Sequence, residues 1–270
     1  MKPVDKRNLL NHLANYKQTS LHICESGTWW KHGKPYSHIL PIECSDRNLI
    51  DAGYHEELAD LVRRYSVKKH QGFHHLNSSQ ALAVNLFGPL IIEHRMSILD
   101  DQLESEPANA EFLFEHIEDR VEATNFDFCI RASGKSVFVE VKYTEGRFGP
   151  AKPDAEHIDK YKMVYQSRLK EMAIISEAEF FKSYQLWRNL IYTDMGDVIF
   201  VLPRFRSDLA GEVAAAIKRI SNKDRARIRY IDDICDSAEN DGSGCFRSHY
   251  GEFRRKYLPD TKASLGRPSK

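Results

Sequence analysis

The sequence predicts an α/β fold in which a mixed β-sheet, containing an antiparallel meander, is flanked by helices. Three short apolar and aromatic runs (FLFEHIED, NFDFCIRA and SVFVEVKY) lie between residues 111 and 143, separated by turn residues as in a meander. Longer stretches with helical periodicity precede and follow them. This order of elements is typical of one α/β domain with helices packed on its sheet.

The residues before the meander predict mainly helices. Residues 1–70 contain a short helix, a Gly/Pro/Trp/His-rich segment (GTWWKHGKPYSHILP) and a helix near EELADLVRRY, together an N-terminal extension packed on the core. Asn77 and Ser78 stand in capping positions before an apolar periodic stretch, which predicts a helix start. Gly88-Pro89 predicts a break or kink, after which LIIEHRMSILDDQL is expected to form a second helix.

The residues after the first strand complete a predicted core unit, residues 71–258. The sequence ASGK predicts the turn of the hairpin between the second and third strands. The later elements are two helical stretches (DAEHIDKYKMVYQSRLKEM and EAEFFKSYQLWRNLIYTD), a short buried strand (GDVIFVLP), a helix (DLAGEVAAAIKRI) and another strand (ARIRYIDD). Residues 259–270 are expected to form a disordered tail.

Composition excludes several classes of protein. With 270 residues, 41% of them hydrophobic, the chain can bury a sizeable core. No apolar run approaches the roughly 18 residues of a membrane span, and the charged N-terminus lacks the apolar stretch of an export signal. The five scattered cysteines form no C-x-x-C pair, which argues against zinc fingers and disulfide frameworks and favours a reducing cytoplasm.

Charge is balanced overall but unevenly distributed. The chain has 39 basic and 39 acidic residues, yet two basic runs stand out: Lys218, Arg219, Lys223, Arg225, Arg227 and Arg229, and then Arg254, Arg255, Lys256, Lys262, Arg267 and Lys270. Clustering on one face, rather than net charge, decides whether such residues bind nucleic acid. A solvated protein face would show the same runs.

Charged residues also interrupt the apolar meander. Glu140 and Lys142 share one face of the third strand, because successive strand residues point to opposite faces. Pairing through ASGK places residues whose numbers sum to about 267 opposite each other, so Asp127 should lie level with Glu140. Two neighbouring carboxylates raise each other's pKa unless a cation lies between them, and such oxygen ligands suit Mg²⁺ or Mn²⁺. An ordinary half-exposed hairpin would show the same alternation, so this stretch alone leaves both interpretations open.

Asp127 and Glu140-Val141-Lys142, on adjacent predicted strands, resemble the core of the PD-(D/E)xK nuclease superfamily. More narrowly, the chain resembles a bacterial family of stand-alone restriction endonucleases within that superfamily. The matching pieces, between roughly residues 30 and 205, are His38-Ile39-Leu40-Pro41, Ser78-Ser79-Gln80-Ala81, Asn85-Leu86-Phe87-Gly88-Pro89-Leu90, Thr124-Asn125-Phe126-Asp127, Glu140-Val141-Lys142-Tyr143-Thr144-Glu145 and Gln185-Leu186-Trp187-Arg188-Asn189. Asn125-Phe126 precede the aspartate where the superfamily name has a proline.

This resemblance implies a restriction-endonuclease-like core that hydrolyses DNA. Asp127 and Glu140 would hold Mg²⁺ or Mn²⁺ together with the backbone carbonyl of Val141, and Lys142 would orient or deprotonate the attacking water. RNA is an alternative substrate that the fold leaves open. A symmetric homodimer would serve to cut both strands, and a paired methyltransferase would be the genomic partner of a restriction enzyme.

Further residues are candidates to support this site. Gln80 lies in the first turn of its predicted helix, where anions bind, although helix capping alone explains the neighbouring serines. Gln185 and Arg188, three apart, share a helix face, and a guanidinium suits phosphate, although an exposed arginine is commoner. Glu115 and Glu118 are expected to point to opposite faces of the first strand, so at most one of them could add an acidic ligand. Trp29-Trp30, with Tyr36, would either pack the N-terminal region or stack on bases.

Two other functions are weighed against the nuclease. One is a non-catalytic nucleic-acid-binding or protein-interaction module on the same fold, against which the intact Asp127, Glu140 and Lys142 argue. The other is a metabolic α/β enzyme whose strand carboxylates bind a metal for a small substrate. No glycine-rich phosphate loop, G-x-S-x-G or H-E-x-x-H motif supports the metabolic enzyme.

Overall fold

The computed structural model describes residues 5–65, 67–103, 109–240 and 244–259. The chain forms two compact units, one of Met1–Ile98 with Asp232–Lys270 and one of Leu99–Ile231. The predicted boundary between residues 70 and 71 is not one of these limits, and the predicted tail, apart from Pro259, lies outside the described residues. In the part of the chain that the structure describes, every helix is too short or too polar to cross a membrane.

The first unit begins with helices and one small hairpin. Its elements are α1 (Lys6–Thr19), β1 (Gly27–Trp29), β2 (Lys34–Tyr36), a 3₁₀ helix (Ile42–Asn48), α2 (His55–Arg64) and α3 (Ser79–Ile92). β1 and β2 pair antiparallel. Ser78 caps α3 as predicted, because its side chain accepts a hydrogen bond from the backbone N–H of Ala81.

The predicted break at Gly88-Pro89 is wrong. α3 continues to Ile92, and a short 3₁₀ turn (Met96–Ile98) follows in place of a second helix. Proline lacks the N–H that would bond the carbonyl four residues earlier, that of Asn85. This carbonyl instead accepts a hydrogen bond from Nε2 of His249 at 2.8 Å, and the next carbonyl, that of Leu86, accepts one from the Tyr250 hydroxyl at 2.7 Å. Both carbonyls therefore keep a donor while the helix passes through the proline.

The described residues of the second unit form a five-stranded mixed sheet. Its strands, in spatial as well as chain order, are β3 (Glu111–Ile117), β4 (Asn125–Ala132), β5 (Lys135–Val141), β6 (Asp197–Leu202) and β7 (Ala226–Tyr230). The first three form the predicted antiparallel meander, and β6 and β7 continue parallel to β5. The predicted α/β fold class is thereby confirmed.

The hairpin between β4 and β5 has the predicted register. Phe128 lies opposite Val139 and Cys129 opposite Phe138, so paired residue numbers sum to 267. Ser133 and Gly134, in the turn, both have positive φ angles, 51° and 76°. Two such residues make a type I′ turn, whose twist matches that of the two strands it joins.

Helices cover one face of this sheet. They are α4 (Ala155–Lys160), a π-helical segment (Tyr161–Tyr165), α5 (Gln166–Met172), α6 (Glu177–Lys182), α7 (Tyr184–Leu190) and α8 (Ser207–Ile217). Phe126, Phe138 and Phe200, from three neighbouring strands, are fully buried in a core shared with these helices. The face that carries Phe128 and Val139 is buried as well, as expected for a sheet with parallel strands.

Two helices end the described chain. They are α9 (Ile231–Asn240) and α10 (Gly244–Tyr257), so the last three residues of the run ARIRYIDD begin a helix instead of continuing β7. Within the first unit, the side chain of Asn85 on α3 donates to the hydroxyl of Tyr257 on α10 at 3.0 Å. Nζ of Lys256, also on α10, donates to the backbone oxygen of Asn48 at 2.6 Å.

Candidate active site

Strands β4 and β5 bring together the residues that the sequence singles out. The paired register of β4 and β5 ends at Phe128 and Val139, and Asp127 and Glu140 are the next residues of their strands. Oδ2 of Asp127 accepts a hydrogen bond from the backbone N–H of Val141 at 2.8 Å, which ties it directly to the partner strand. The Glu140 and Lys142 side chains are buried, at 2% and 6% exposure.

The two oxygens of the Glu140 carboxylate have different surroundings. Oε1 lies 2.7 Å from Nζ of Lys142 and accepts a hydrogen bond from Nε2 of Gln185 at 2.9 Å. Oε2 is buried and accepts no hydrogen bond from any described residue. A buried carboxylate oxygen without a donor costs free energy unless a cation or a water satisfies it. This oxygen is therefore suited to bind a ligand.

Burial and mutual repulsion alter the protonation of the acidic pair. Burial, and then the charge of Glu140, raise the pKa of Asp127 well above its ordinary value, against the opposing effects of Lys142 and the Val141 N–H. Burial alone would lower the pKa of Lys142, but the carboxylates of Glu140, Glu145 and Asp127 raise it overall. Without a metal ion on these carboxylates, the raised pKa favours the protonated form of Lys142 at neutral pH. A protonated lysine can orient water and stabilise negative charge, but it cannot accept a proton.

Glu115 adds a third carboxylate close to this pair. On β3, Phe114 lies opposite Phe128 and His116 opposite Phe126, so Glu115 is level with Asp127. Its φ angle of 54° is rare for a non-glycine residue and is a local strain of the kind found at functional sites. Burial, and then the charge of Glu140, raise its pKa, while a hydrogen bond from Asn125 opposes them.

Glu118, by contrast, is already paired. Its carboxylate binds the guanidinium of Arg131 at 2.6 Å and lies 2.8 Å from Nε2 of His116. Of the two glutamates that the sequence offers as an extra ligand, Glu115 is thus the one whose charge acts on the acidic pair.

The oxygen atoms that Asp127, Glu140 and Val141 offer fit a hard divalent ion that keeps part of its water shell. In the ranges that the structure describes, no group of three or more His, Cys, Asp or Glu side chains is arranged to hold a metal ion. The candidate ligands are therefore the carboxylates of Asp127 and Glu140 and the backbone carbonyl of Val141. Mg²⁺ commonly binds through one or two carboxylates and several waters, and the unsatisfied Oε2 of Glu140 gives such an ion a contact.

The structure separates Gln185 from Arg188, which the sequence places on one helix face. Gln185 contacts Glu140, whereas Nε of Arg188 donates to Oε1 of Glu122 at 2.8 Å and its Nη2 donates to the Glu122 backbone oxygen at 3.1 Å. Arg188 therefore anchors α7 to the connection between β3 and β4. Because Gln185 lies one turn earlier on α7, the same anchor fixes its approach to Glu140.

Glu122 is a residue that sequence reasoning misses. Its side chain is fully buried and accepts hydrogen bonds from both the backbone N–H and the hydroxyl of Thr124, each at 2.7 Å, and from the hydroxyl of Tyr192 at 2.8 Å. Burial alone would raise the pKa of Glu122, but the hydrogen bonds from Thr124 and Tyr165 and the charge of Arg188 lower it overall. A single glutamate in a short connection gives no sequence signal of such an environment.

Gln80 belongs to the first unit and is engaged there. Its Nε2 donates to the backbone oxygen of Lys68 at 3.0 Å, and its Oε1 accepts from the backbone N–H of His70 at 3.1 Å. The side chain is 1% exposed. Its visible role is to hold the connection that precedes α3, while a role in the active site stays a prediction.

Three arginines of the first basic run have partners within the second unit. Arg227 pairs with Asp100 and lies 3.0 Å from Asp197, Nε of Arg229 donates to the backbone oxygen of Leu99 at 2.8 Å, and Arg219 lies 2.9 Å from Glu179. These three arginines therefore tie elements of the second unit together.

Comparison with known proteins gives one result. Searches of curated proteins and of solved structures find no match. A family described as "Restriction Endonuclease associating with ARP" matches residues 10–258, which include every strand and nearly all the helical residues described above. Since this match covers far more than half of the chain, the protein belongs to that restriction-endonuclease-associated family.

Proposed function

We propose that the protein is a metal-dependent endonuclease of the PD-(D/E)xK type that hydrolyses phosphodiester bonds of DNA. The observation that carries the proposal is the buried Glu140, with one carboxylate oxygen held by Lys142 and Gln185 and the other without a donor among the described residues. Its charge acts on Asp127 of the neighbouring strand, whose Oδ2 accepts a hydrogen bond from the Val141 N–H. The family description, which names a restriction endonuclease, supports the same class of reaction.

Each residue has a distinct role in this proposal. Asp127, Glu140 and the carbonyl of Val141 hold Mg²⁺ or Mn²⁺. When bound, such an ion lowers the pKa of a coordinated water and neutralises charge on a phosphate oxygen. Lys142, kept protonated by the surrounding carboxylates, orients the attacking water and stabilises the charge that develops on the phosphate. Gln185 fixes the rotation of the Glu140 carboxylate, so that Oε2 stays available to the ion.

The test is cleavage of supercoiled plasmid and linear duplex DNA with Mg²⁺, Mn²⁺ or EDTA. Wild-type protein should cleave only with the metal, and Glu140→Gln and Lys142→Met should each slow cleavage by about 100-fold or more, since both groups act on transition-state charge. Glu179→Gln is the matched control, because it neutralises a glutamate whose partner is the exposed Arg219. Circular dichroism would establish that all variants fold.

Two results would count against the proposal. Equal cleavage by wild type and Glu140→Gln would place the chemistry elsewhere. Absence of cleavage by wild type on both DNA and structured RNA, with nucleic-acid binding intact, would favour the interaction module. Sedimentation with bound DNA would test the homodimer, since one site per chain must act twice to cut both strands.

A further inference from the structure

The hairpin β1–β2, in the first unit, presents aromatic and basic side chains at its tip. The Trp30 side chain is 53% exposed, and Lys31, His32 and Lys34 are exposed beside it. Nζ of Lys31 lies 5.4 Å from the centroid of the Trp30 ring. The segment from residue 27 to residue 41 contains no aspartate or glutamate. The tip therefore combines a half-exposed indole with positive charge that no carboxylate of the segment offsets.

The hairpin holds this tip in a defined shape. The backbone N–H groups of His32 and Gly33 donate to the carbonyl oxygen of Trp29 at 3.2 and 2.8 Å, which closes the turn. Gly33 has a φ of 64°, a conformation that suits glycine. The start of β1 also lies tight against the residues that follow β2, because a Cβ on Gly27 would lie 1.9 Å from the Leu40 carbonyl oxygen. The turn is thus built into the unit and is more than a loose loop.

The two adjacent tryptophans differ in their surroundings. The Trp29 ring packs edge-on against Tyr36 at 5.9 Å and His75 at 6.3 Å between centroids. Trp30, the next residue, is mostly exposed. Packing thus explains Trp29 and leaves most of the Trp30 side chain in water. An exposed indole beside two lysines suits a nucleic-acid strand, since bases stack on the ring and phosphates attract the ammonium groups.

We infer that this hairpin tip binds DNA at an unpaired base, with Trp30 stacking on the base and Lys31 and Lys34 contacting flanking phosphates. Stacking on an indole requires a base whose face is open, which selects single-stranded, gapped or bubble-containing DNA over fully paired duplex. The inference deepens the proposed function, on which it rests for the choice of DNA, by naming the form of DNA that the chain prefers.

The experiment measures binding of the intact Glu140→Gln protein to fluorescein-labelled DNA by anisotropy, between 50 and 200 mM salt. The probes are a single strand, a duplex with a central bubble and a fully paired duplex of the same sequence. Trp30→Ala should weaken binding to the first two by about 5- to 100-fold. Lys31→Ala/Lys34→Ala should reduce the slope of log K against log salt by about 1.4 for the single strand.

Matched controls change similar side chains on the second unit. Ile174→Ala removes an exposed apolar side chain that is 89% accessible, and Lys162→Ala/Lys170→Ala removes two exposed lysines. Both should leave the single-strand affinity within about twofold of the parent, because neither belongs to the hairpin.

The inference is overturned if Trp30→Ala binds the single strand as tightly as its control does, or weakens all three probes equally. This outcome is separable from failure of the proposed function. Metal-dependent cleavage by wild type without any effect of Trp30→Ala would leave the nuclease standing and remove the hairpin site. Binding that depends on Trp30, without cleavage in the presence of any metal, would leave the hairpin site standing and remove the nuclease.

Discussion

Replacing Arg188 with methionine tests the anchor between Glu122 and α7. The substitution keeps an apolar stem of similar length but leaves the fully buried Glu122 without its cation. Removal of one partner of a buried ion pair costs about 3–5 kcal/mol. Because Arg188 retains 19% exposure and Thr124 and Tyr192 still donate to Glu122, we expect a loss near the lower end, about 3 kcal/mol of unfolding free energy.

Thermal unfolding at pH 7, followed by circular dichroism, would measure this loss. For a unit of this size the expected fall in Tm is about 10 °C. Arg168→Met is the matched control, since its partner Asp194 is 42% exposed and such pairs contribute at most about 1 kcal/mol. The pKa of Glu122 is depressed in the folded chain, so the contribution of Arg188 is complete above the ordinary glutamate pKa and is lost as pH falls below it. The difference in Tm between wild type and Arg188→Met should therefore become smaller at acidic pH.

Equal Tm values for Arg188→Met and Arg168→Met would refute this reasoning. That result would mean that the neutral donors around Glu122 are sufficient to satisfy its buried charge. A difference in Tm that grows at acidic pH would also contradict this reasoning, because protonation of Glu122 removes the buried charge that Arg188 neutralises.

Two further predictions concern backbone packing and protonation. Gly196→Ala should destabilise the second unit by about 1–3 kcal/mol in urea titrations, because its Cβ would lie 2.2 Å from the Ser136 carbonyl oxygen. Gly211→Ala on α8 should instead stabilise the unit by about 0.5–1 kcal/mol, because the added Cβ would meet no described atom within 4 Å apart from its chain neighbours and the backbone of its own helix. Burial lowers the pKa of His249 to about 4, so the unfolded chain binds its proton first and stability should fall as pH drops from about 6.5 towards 4. His249→Gln, which keeps a donor for Asn85, should flatten that part of the curve of Tm against pH; an unchanged curve would show that other groups govern it.

The meander and its register could be predicted because their signals are local. A two-residue turn at Ser133-Gly134 joins two runs of alternating side chains, and the alternation decides which residues face each other. The two strands on which Asp127 and Glu140 lie could therefore be predicted to pair without any knowledge of the rest of the fold. The contact of Gln185 with Glu140 follows less directly, since it requires the placement of α7 on the sheet.

The features that sequence reasoning missed depend on distant partners. Gly88-Pro89 predicts a helix break because proline leaves the carbonyl of Asn85 without its usual hydrogen-bond donor. In the structure His249, which lies 164 residues further along the chain, supplies that donor. Glu122 is comparable, because Arg188 and Tyr192 lie 66 and 70 residues after it. Turn chemistry and periodicity contain no information about such pairs, so a local rule gives the wrong helix in one case and no prediction in the other.

The hydrogen bonds from His249 and Tyr250 to α3 have a consequence for folding during synthesis. The second unit is one continuous segment, whereas the first unit joins Met1–Ile98 with residues after Ile231. On a ribosome, α3 emerges with its proline but without the donors that complete it, and these arrive only after the whole sheet has been translated. The five-stranded sheet can thus fold first, while the unit that carries the β1–β2 hairpin waits for the last helix. A chain cut short before residue 249 would therefore keep all five strands of the sheet but lack a finished first unit.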